Sequence, residues 1–162
     1  MKIGVYPGTF DPVTRGHTDI IARSLRVFDK VIIAVAPNPT KRPLFDLAER
    51  VAMVKLVTKG LPHVEVVTFK GLLVEYVQKR KAHAVIRGLR AISDFEYEFQ
   101  MALMNRKLNK SVETVFLMPS EEYSYLTSTI IKEVARFNGR LTDFLHPQVA
   151  QRLLRRLGTR AT

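Results

Sequence analysis

The chain has 162 residues, 46% of them hydrophobic, which suits one domain (1–162) with a full-sized core and argues against disorder. No apolar run reaches the roughly 18 residues of a membrane span, and the N-terminal residues lack a secretory layout, so a soluble, cytoplasmic protein without a membrane partner is expected. Cysteine is absent, which removes disulfides, thiolate nucleophiles and cysteine-ligated zinc, while 26 basic against 15 acidic residues leave a formal charge of +11 that attracts polyanions such as nucleotides, phosphorylated metabolites or nucleic acid.

The apolar run Ile3–Tyr6 reads as a buried strand and is followed by the connection Tyr-Pro-Gly-Thr-Phe-Asp-Pro-Val-Thr-Arg-Gly-His, residues 6–17. Two prolines and two glycines turn this connection sharply, with Gly8 and Gly16 expected to allow close backbone approach or positive φ. The spacing of Ile20, Ile21, Leu25 and Phe28 predicts a first helix. Val31–Ala36 is a continuous apolar run of the kind covered on both faces, hence a parallel strand. A stiff loop from Pro37 to Pro43 comes next, and Asp46-Leu47-Ala48-Glu49 has capping-box spacing, opening a helix through about Lys59.

Val64–Thr68 is the third strand, and residues 72–80 the next helix, with Leu73, Val74 and Val77 inward. Ala84–Arg87 is the fourth strand, ending in Gly88-Leu89-Arg90. Ser93-Asp94-Phe95-Glu96 is a second capping-box candidate for a helix to about Asn105 that buries Phe95, Phe99, Ala102 and Leu103. Val115–Met118 is the fifth strand, Thr127–Phe137 a helix, and Pro147 a suitable first residue for the last one. The alternation predicts an α/β fold: a doubly wound, Rossmann-like parallel sheet of five strands with right-handed crossovers.

In such a sheet four strand-following connections lie along one carboxyl edge, where open α/β sheets bind ligands. They carry Thr9 and His17, Lys41, Arg87 and Arg90, and the segment Ser120–Thr129. Three cations, an imidazole and several hydroxyls suit phosphate groups, and Thr127-Ser128-Thr129 at a helix start adds free N–H groups to an anion site. Competing constellations are missing: there is no Walker phosphate loop, no Gly-x-Gly-x-x-Gly, and no Gly-x-Ser-x-Gly elbow, and the four histidines are too scattered for a recognisable zinc site. The basic clusters Lys79–Lys81 and Arg152–Arg160 read as solvated helix faces.

The complete run from Tyr6 to His17 resembles the first signature of nucleotidyltransferases with an (H/T)xGH motif, and Thr-Ser-Thr-Ile-Ile-Lys (residues 127–132) is similar to their second. With Arg87–Ala91, Asp94–Glu98 and Lys132–Ala135, nearly the whole chain resembles the bacterial phosphopantetheine adenylyltransferase family. That resemblance implies adenylyl transfer from ATP to 4′-phosphopantetheine, giving dephospho-coenzyme A and pyrophosphate, with Mg²⁺ carried by the nucleotide and a homohexameric assembly. By matching positions it implies that Thr9, Lys41, Leu73 and Arg87 contact the pantetheine substrate. Thr9, Phe10, His17, Gly88, Leu89, Arg90, Glu98, Tyr123, Ser124, Tyr125, Leu126, Thr127, Ser128 and Thr129 are implied to contact ATP. His17, Lys41 and Arg90 are the catalytic candidates. Thr127-Ser128-Thr129 stands where the family often has a serine triplet, Tyr123 where tryptophan occurs and Leu73 where methionine occurs.

A phosphate nucleophile is already ionised, so this transfer needs no covalent intermediate and no strong general base; it needs two polyanions held in line. A related adenylyl- or cytidylyltransferase acting on another phosphorylated acceptor is the nearest alternative. An RNA-binding module is the alternative from a different class, but the aromatics sit mostly on apolar helical faces or in strands rather than forming stacking platforms, so no nucleic acid partner is expected.

Overall fold

In the computed structural model, residues 1–37, 42–90 and 92–159 are described. Among them, five segments form strands: β1 (Ile3–Gly8), β2 (Lys30–Val35), β3 (Val64–Thr68), β4 (Ala84–Gly88) and β5 (Glu113–Leu117). Helices α1 (Arg15–Ser24), α2 (Leu47–Val57), α3 (Leu73–Lys79) and α4 (Ile92–Leu108) alternate with them, and α5 (Ser128–Arg136) and α6 (Pro147–Leu157) close the chain. Every ladder is parallel and the strand order is β3-β2-β1-β4-β5. This is the doubly wound sheet that the alternation predicts.

The order reverses between β1 and β4, which makes their junction the topological switch point. The registers show how it opens. β1 stays paired with β2 from Ile3 to Gly8, but its ladder to β4 covers only Gly4 with Ala84 and Val5 with Val85. Pro7, which has no N–H to give, falls beyond that point, and its carbonyl accepts instead from Arg87 Nη1 at 3.3 Å. A proline can thus sit in a central strand, and β1 runs two residues past the Tyr6 boundary read from the sequence.

One face of the sheet packs on α1, α2, α5 and α6 through Ile20, Ile21, Met53, Val54, Ile131, Val149 and Leu153; the other holds a smaller cluster around Val5, Ile32, Val74, Val77 and Val85. The expected box at Asp46 forms, with Glu49 N–H donating to Asp46 Oδ1 at 2.8 Å and Asp46 N–H to Glu49 Oε2 at 2.9 Å. The basic residues of the expected solvated faces are partly engaged: Arg80 pairs with Glu65, and Arg156 with Glu49 while lying over the Phe45 ring.

Three expectations are corrected. The first helix ends at Ser24, with Leu25 as its cap, and Phe28 reaches the core from the following turn, its ring 3.0 Å from where a Cβ on Gly4 would stand. Met118, expected to close the fifth strand, lies outside β5 and is 73% exposed.

The third concerns α4, which begins at Ile92, ahead of the proposed cap Ser93, and turns the other way from the predicted facing. Among its described side chains the buried ones are Glu98 and Asn105, whereas Phe95, Phe99 and Leu103 are exposed and Ala102 is only half-buried. Arg87 at the end of β4 decides the rotation. Its guanidinium is matched by Glu98 in a two-point ion pair, with Arg87 Nε 2.7 Å from Oε2 and Nη2 against Oε1. Leaving a part-buried arginine without its carboxylate costs about 3–5 kcal/mol, which offsets much of what is lost by leaving these apolar side chains in contact with water.

Candidate active site

The β1–α1 connection enters the switch-point crevice and folds on itself. Phe10 takes a left-handed backbone conformation (φ 51°), and its ring packs edge-on to Tyr6 at 5.5 Å and to His17 at 5.0 Å. Gly8 makes room for that ring, since a Cβ there would stand 2.7 Å from it. Close approach, rather than positive φ, is therefore what Gly8 supplies.

Thr14 then caps α1 in a capping box whose third helical residue is His17. The Thr14 N–H donates to His17 Nδ1 at 2.9 Å, so Nδ1 is an acceptor and the neutral ring carries its proton on Nε2. Burial, and then the nearby Arg90 charge, lowers the His17 pKa to about 4, so the ring is neutral near pH 7 and offers an Nε2–H to the cavity it lines.

That cavity, about 490 Å³, is walled by all four carboxyl-edge connections and the first turn of α5. Of the residues singled out in the sequence, Thr9, Phe10, His17, Arg87, Gly88, Arg90, Glu98, Tyr123, Leu126, Thr127, Ser128 and Thr129 line it. Leu89 lies beside it, its N–H bonded to Leu117 O. Ser124 and Tyr125 face a neighbouring depression instead, Ser124 bonding Glu121 O and Tyr125 standing edge-on to Phe144. Leu73 opens α3 and packs on the smaller cluster across the sheet. Lys41 lies outside the described residues.

The cations here are positioned rather than loose. Arg87 is held by Glu98 and Pro7 O; burial acts against its charge, but Glu98 more than compensates and raises its pKa. Arg90 donates to Asp94 at 3.1 Å and to Leu126 O at 3.1 Å, tying the β4–α4 turn to the approach to α5. At the head of α5, Thr127 is the N-cap, accepting from Ile130 N–H at 3.0 Å, while the Ser128 hydroxyl donates to Pro12 O at 2.8 Å. The helix start thus meets the β1–α1 loop at the cavity wall, and the Ser128 and Thr129 N–H groups of its first turn are left to face an anion.

Two residues with structural weight here were not singled out as site residues. Asp11, only 5% exposed, accepts from Lys132 Nζ at 2.8 Å and from the N–H groups of Leu44 and Phe45 at 2.9 Å each. Burial pushes its pKa up, but these bonds outweigh it and hold the carboxyl below its ordinary value. Both Asp11 and Lys132 fall inside the signature runs, which was a usable signal. Arg50, 2% exposed, carries none: in sequence it is one more arginine after a capping box.

A doubly wound sheet with a cationic, hydroxyl-lined cavity at its switch point is the architecture of a nucleotidyltransferase, and residues 5–134 match the family described as cytidylyltransferase-like. The fold is shared with a protein described as a nicotinate-nucleotide adenylyltransferase from Vibrio parahaemolyticus (TM-score 0.71, 20% identity, 95% of this chain and 92% of that one). It is shared also with a lipopolysaccharide core biosynthesis protein from Thermoplasma volcanium (TM-score 0.58, 23% identity, 75% and 99%). In sequence the chain is 58% identical over 154 residues to the phosphopantetheine adenylyltransferase of Caldanaerobacter subterraneus subsp. tengcongensis, covering 95% of this chain and 96% of that one. The chain belongs to the phosphopantetheine adenylyltransferase family.

Proposed function

We propose that the switch-point cavity holds ATP and 4′-phosphopantetheine together and that His17, Lys41 and Arg90 carry the charge that develops as the adenylyl group passes between them. The reaction is the family's: adenylyl transfer from ATP to 4′-phosphopantetheine, giving dephospho-coenzyme A and pyrophosphate in coenzyme A biosynthesis. The observation that carries the assignment of roles is the neutral His17 ring, its proton on Nε2, in the same cavity as the first turn of α5. A preformed donor and a helix start lining one cavity suit an α-phosphate flanked by a leaving pyrophosphate.

In this reading the acceptor's phosphate oxygen attacks the α-phosphorus in line, and the α–β bridging bond breaks as the new P–O bond forms. His17 Nε2–H and Lys41 stabilise the non-bridging α-oxygens, while Arg90, Ser128 and Thr129 hold the departing pyrophosphate. Arg87 and Thr9 receive the acceptor's phosphate. Leu73 lies at the same carboxyl edge, where an extended pantetheine arm leaving the cavity can reach it. The two cavity carboxylates, Asp11 and Glu98, are each engaged by a cation. Mg²⁺ bound to the nucleotide phosphates therefore fits the site better than Mg²⁺ held by protein carboxylates, and it would supply charge neutralisation there.

The assignment is tested by pyrophosphate release from ATP with 4′-phosphopantetheine beside a panel of other phosphorylated acceptors. Preference for 4′-phosphopantetheine is expected; turnover of another acceptor and none of this one would overturn it. Among the described residues no helix is long and apolar enough to cross a membrane, and the proposed setting is the cytoplasm.

The proposed assembly is a homohexamer. It is supported by the exposed surface of α4, where Phe95, Tyr97, Phe99, Met101, Leu103, Met104 and Leu108 all stand in solvent and the Phe95 and Phe99 rings stack at 5.6 Å. Light scattering at micromolar concentration should give the mass of six chains, and a monomer mass would contradict this proposal.

A further inference from the structure

The α2 residue Arg50 is almost fully buried, and its hydrogen bonds go to main-chain carbonyls: Nη1 to Thr9 O and Ala36 O at 2.7 Å each, Nη2 to Pro37 O at 3.0 Å and Nε to Phe45 O at 3.1 Å. Burial lowers its pKa, with Asp11 and Asp46 acting in the opposite sense. A guanidinium taken out of water without a carboxylate to bond is an expensive way to hold a chain together, and a packed apolar side chain would stabilise α2 at less cost. What the guanidinium does, and an apolar side chain cannot, is hold four carbonyls from two loops around one planar fork of donors.

Those loops form two walls of the cavity. Thr9 belongs to the β1–α1 connection, whereas Ala36, Pro37 and Phe45 bracket the β2–α2 connection, whose Pro43 also lines the cavity. Asp11 grips the same turn from the other side, through the N–H groups of Leu44 and Phe45. One buried cation thus takes the carbonyls and one buried anion the amides.

We propose that Arg50 is a positioning residue for adenylyl transfer, setting the separation between the β1–α1 and β2–α2 connections without touching either substrate. The inference rests on the assignment of roles made above. Its contacts avoid the β4–α4 turn and the head of α5, where the triphosphate is assigned, so its loss should disturb the alignment of the two reactants far more than the binding of ATP. Misplacement of about 1 Å at such a distance can cost on the order of 10²-fold in rate.

The test compares Arg50→Lys, whose ammonium cannot span the four carbonyls, and Arg50→Met, which keeps the apolar stem, with the wild-type chain below their melting temperatures. For Arg50→Lys, kcat per folded molecule should fall at least about tenfold while the ATP Kd stays within about threefold; Arg50→Met should fall further. A lowered melting temperature with unchanged kcat would make Arg50 merely structural and overturn the proposal, as would equal losses of ATP affinity and kcat.

If neither variant folds, Arg156→Met loosens the same turn from the surface, where Arg156 bonds Leu44 O at 3.1 Å and pairs with Glu49. There a fall in kcat at constant ATP affinity supports positioning and an unchanged kcat overturns it. Amide exchange separates the inference from the assignment it rests on. A wild-type chain inactive with 4′-phosphopantetheine would overturn that assignment, while selectively faster exchange at Ala36, Leu44 and Phe45 in Arg50→Lys would still support the clamp, and unchanged exchange would overturn it.

Discussion

His17→Ala should lower kcat by roughly 10²–10³-fold, the usual cost of removing one preorganised donor from a developing oxyanion, with the ATP Kd changed by less than about tenfold. The reason is differential binding: the Nε2–H bond strengthens as charge builds on the α-phosphate, so its loss falls on the chemical step. The same substitution removes half of the α1 capping box, so stability should fall by about 1 kcal/mol as well. Measuring kcat, Kd and melting temperature on one variant separates the effects; a slightly less stable protein with near-normal turnover would make His17 a capping residue alone. The pH dependence has a definite sign. The folded-state pKa of about 4 lies below the ordinary 6.5, so the unfolded chain binds the extra proton first. The associated stability is fully present above pH 6.5 and is lost as pH falls through the folded-state value, a slope the variant should lack.

Asp11→Ala should destabilise the fold by about 3–5 kcal/mol, the largest stability loss expected from one substitution in this site. It removes the partner of a part-buried ammonium and the acceptor of two amides at the start of the α2 turn. Urea unfolding at pH 7 measures it, and a loss under about 1 kcal/mol would show that Lys132 and the turn relax into solvent. Adding Lys132→Met should recover part of the deficit, because the stranded charge goes with it. The Asp11 pKa is depressed in the folded state, so its contribution is present above the ordinary carboxylate range and disappears as pH falls through the folded-state value. Wild-type stability should therefore drop on acidification more steeply than that of Asp11→Ala.

How much of this was legible follows from how local each signal is. The Asp46–Glu49 box, the span of β3 and the strand alternation depend on neighbours in sequence, and they appear where the sequence puts them. The cavity was legible because topology alone brings the carboxyl-edge loops together, so Thr9, His17, Arg87 and Arg90 meet without any contact being read from the sequence. The facing of α4 was not, because it is set by an ion pair across to β4 that no helical periodicity encodes. Nor was the helix end at Ser24, since Phe28 reaches the same core from a turn that helical spacing imitates. Arg50 was invisible for a different reason: a buried arginine bonded to carbonyls leaves no complementary residue type anywhere in the chain.

Among the described residues, most buried apolar surface lies between the sheet and α1, α2, α5 and α6, and α4 contributes no apolar side chain to the cluster on the opposite face. The free energy of local opening follows such burial, so α4 is the helix that detaches from the native sheet at least cost. Glu98 leaves with it. Arg87 then keeps its place on β4 but loses both of the bonds that orient its guanidinium toward one carboxylate. The aim of that cation is therefore a thermodynamic property of how firmly α4 is held, and whatever packs on the exposed surface of α4 tunes it without touching the cavity.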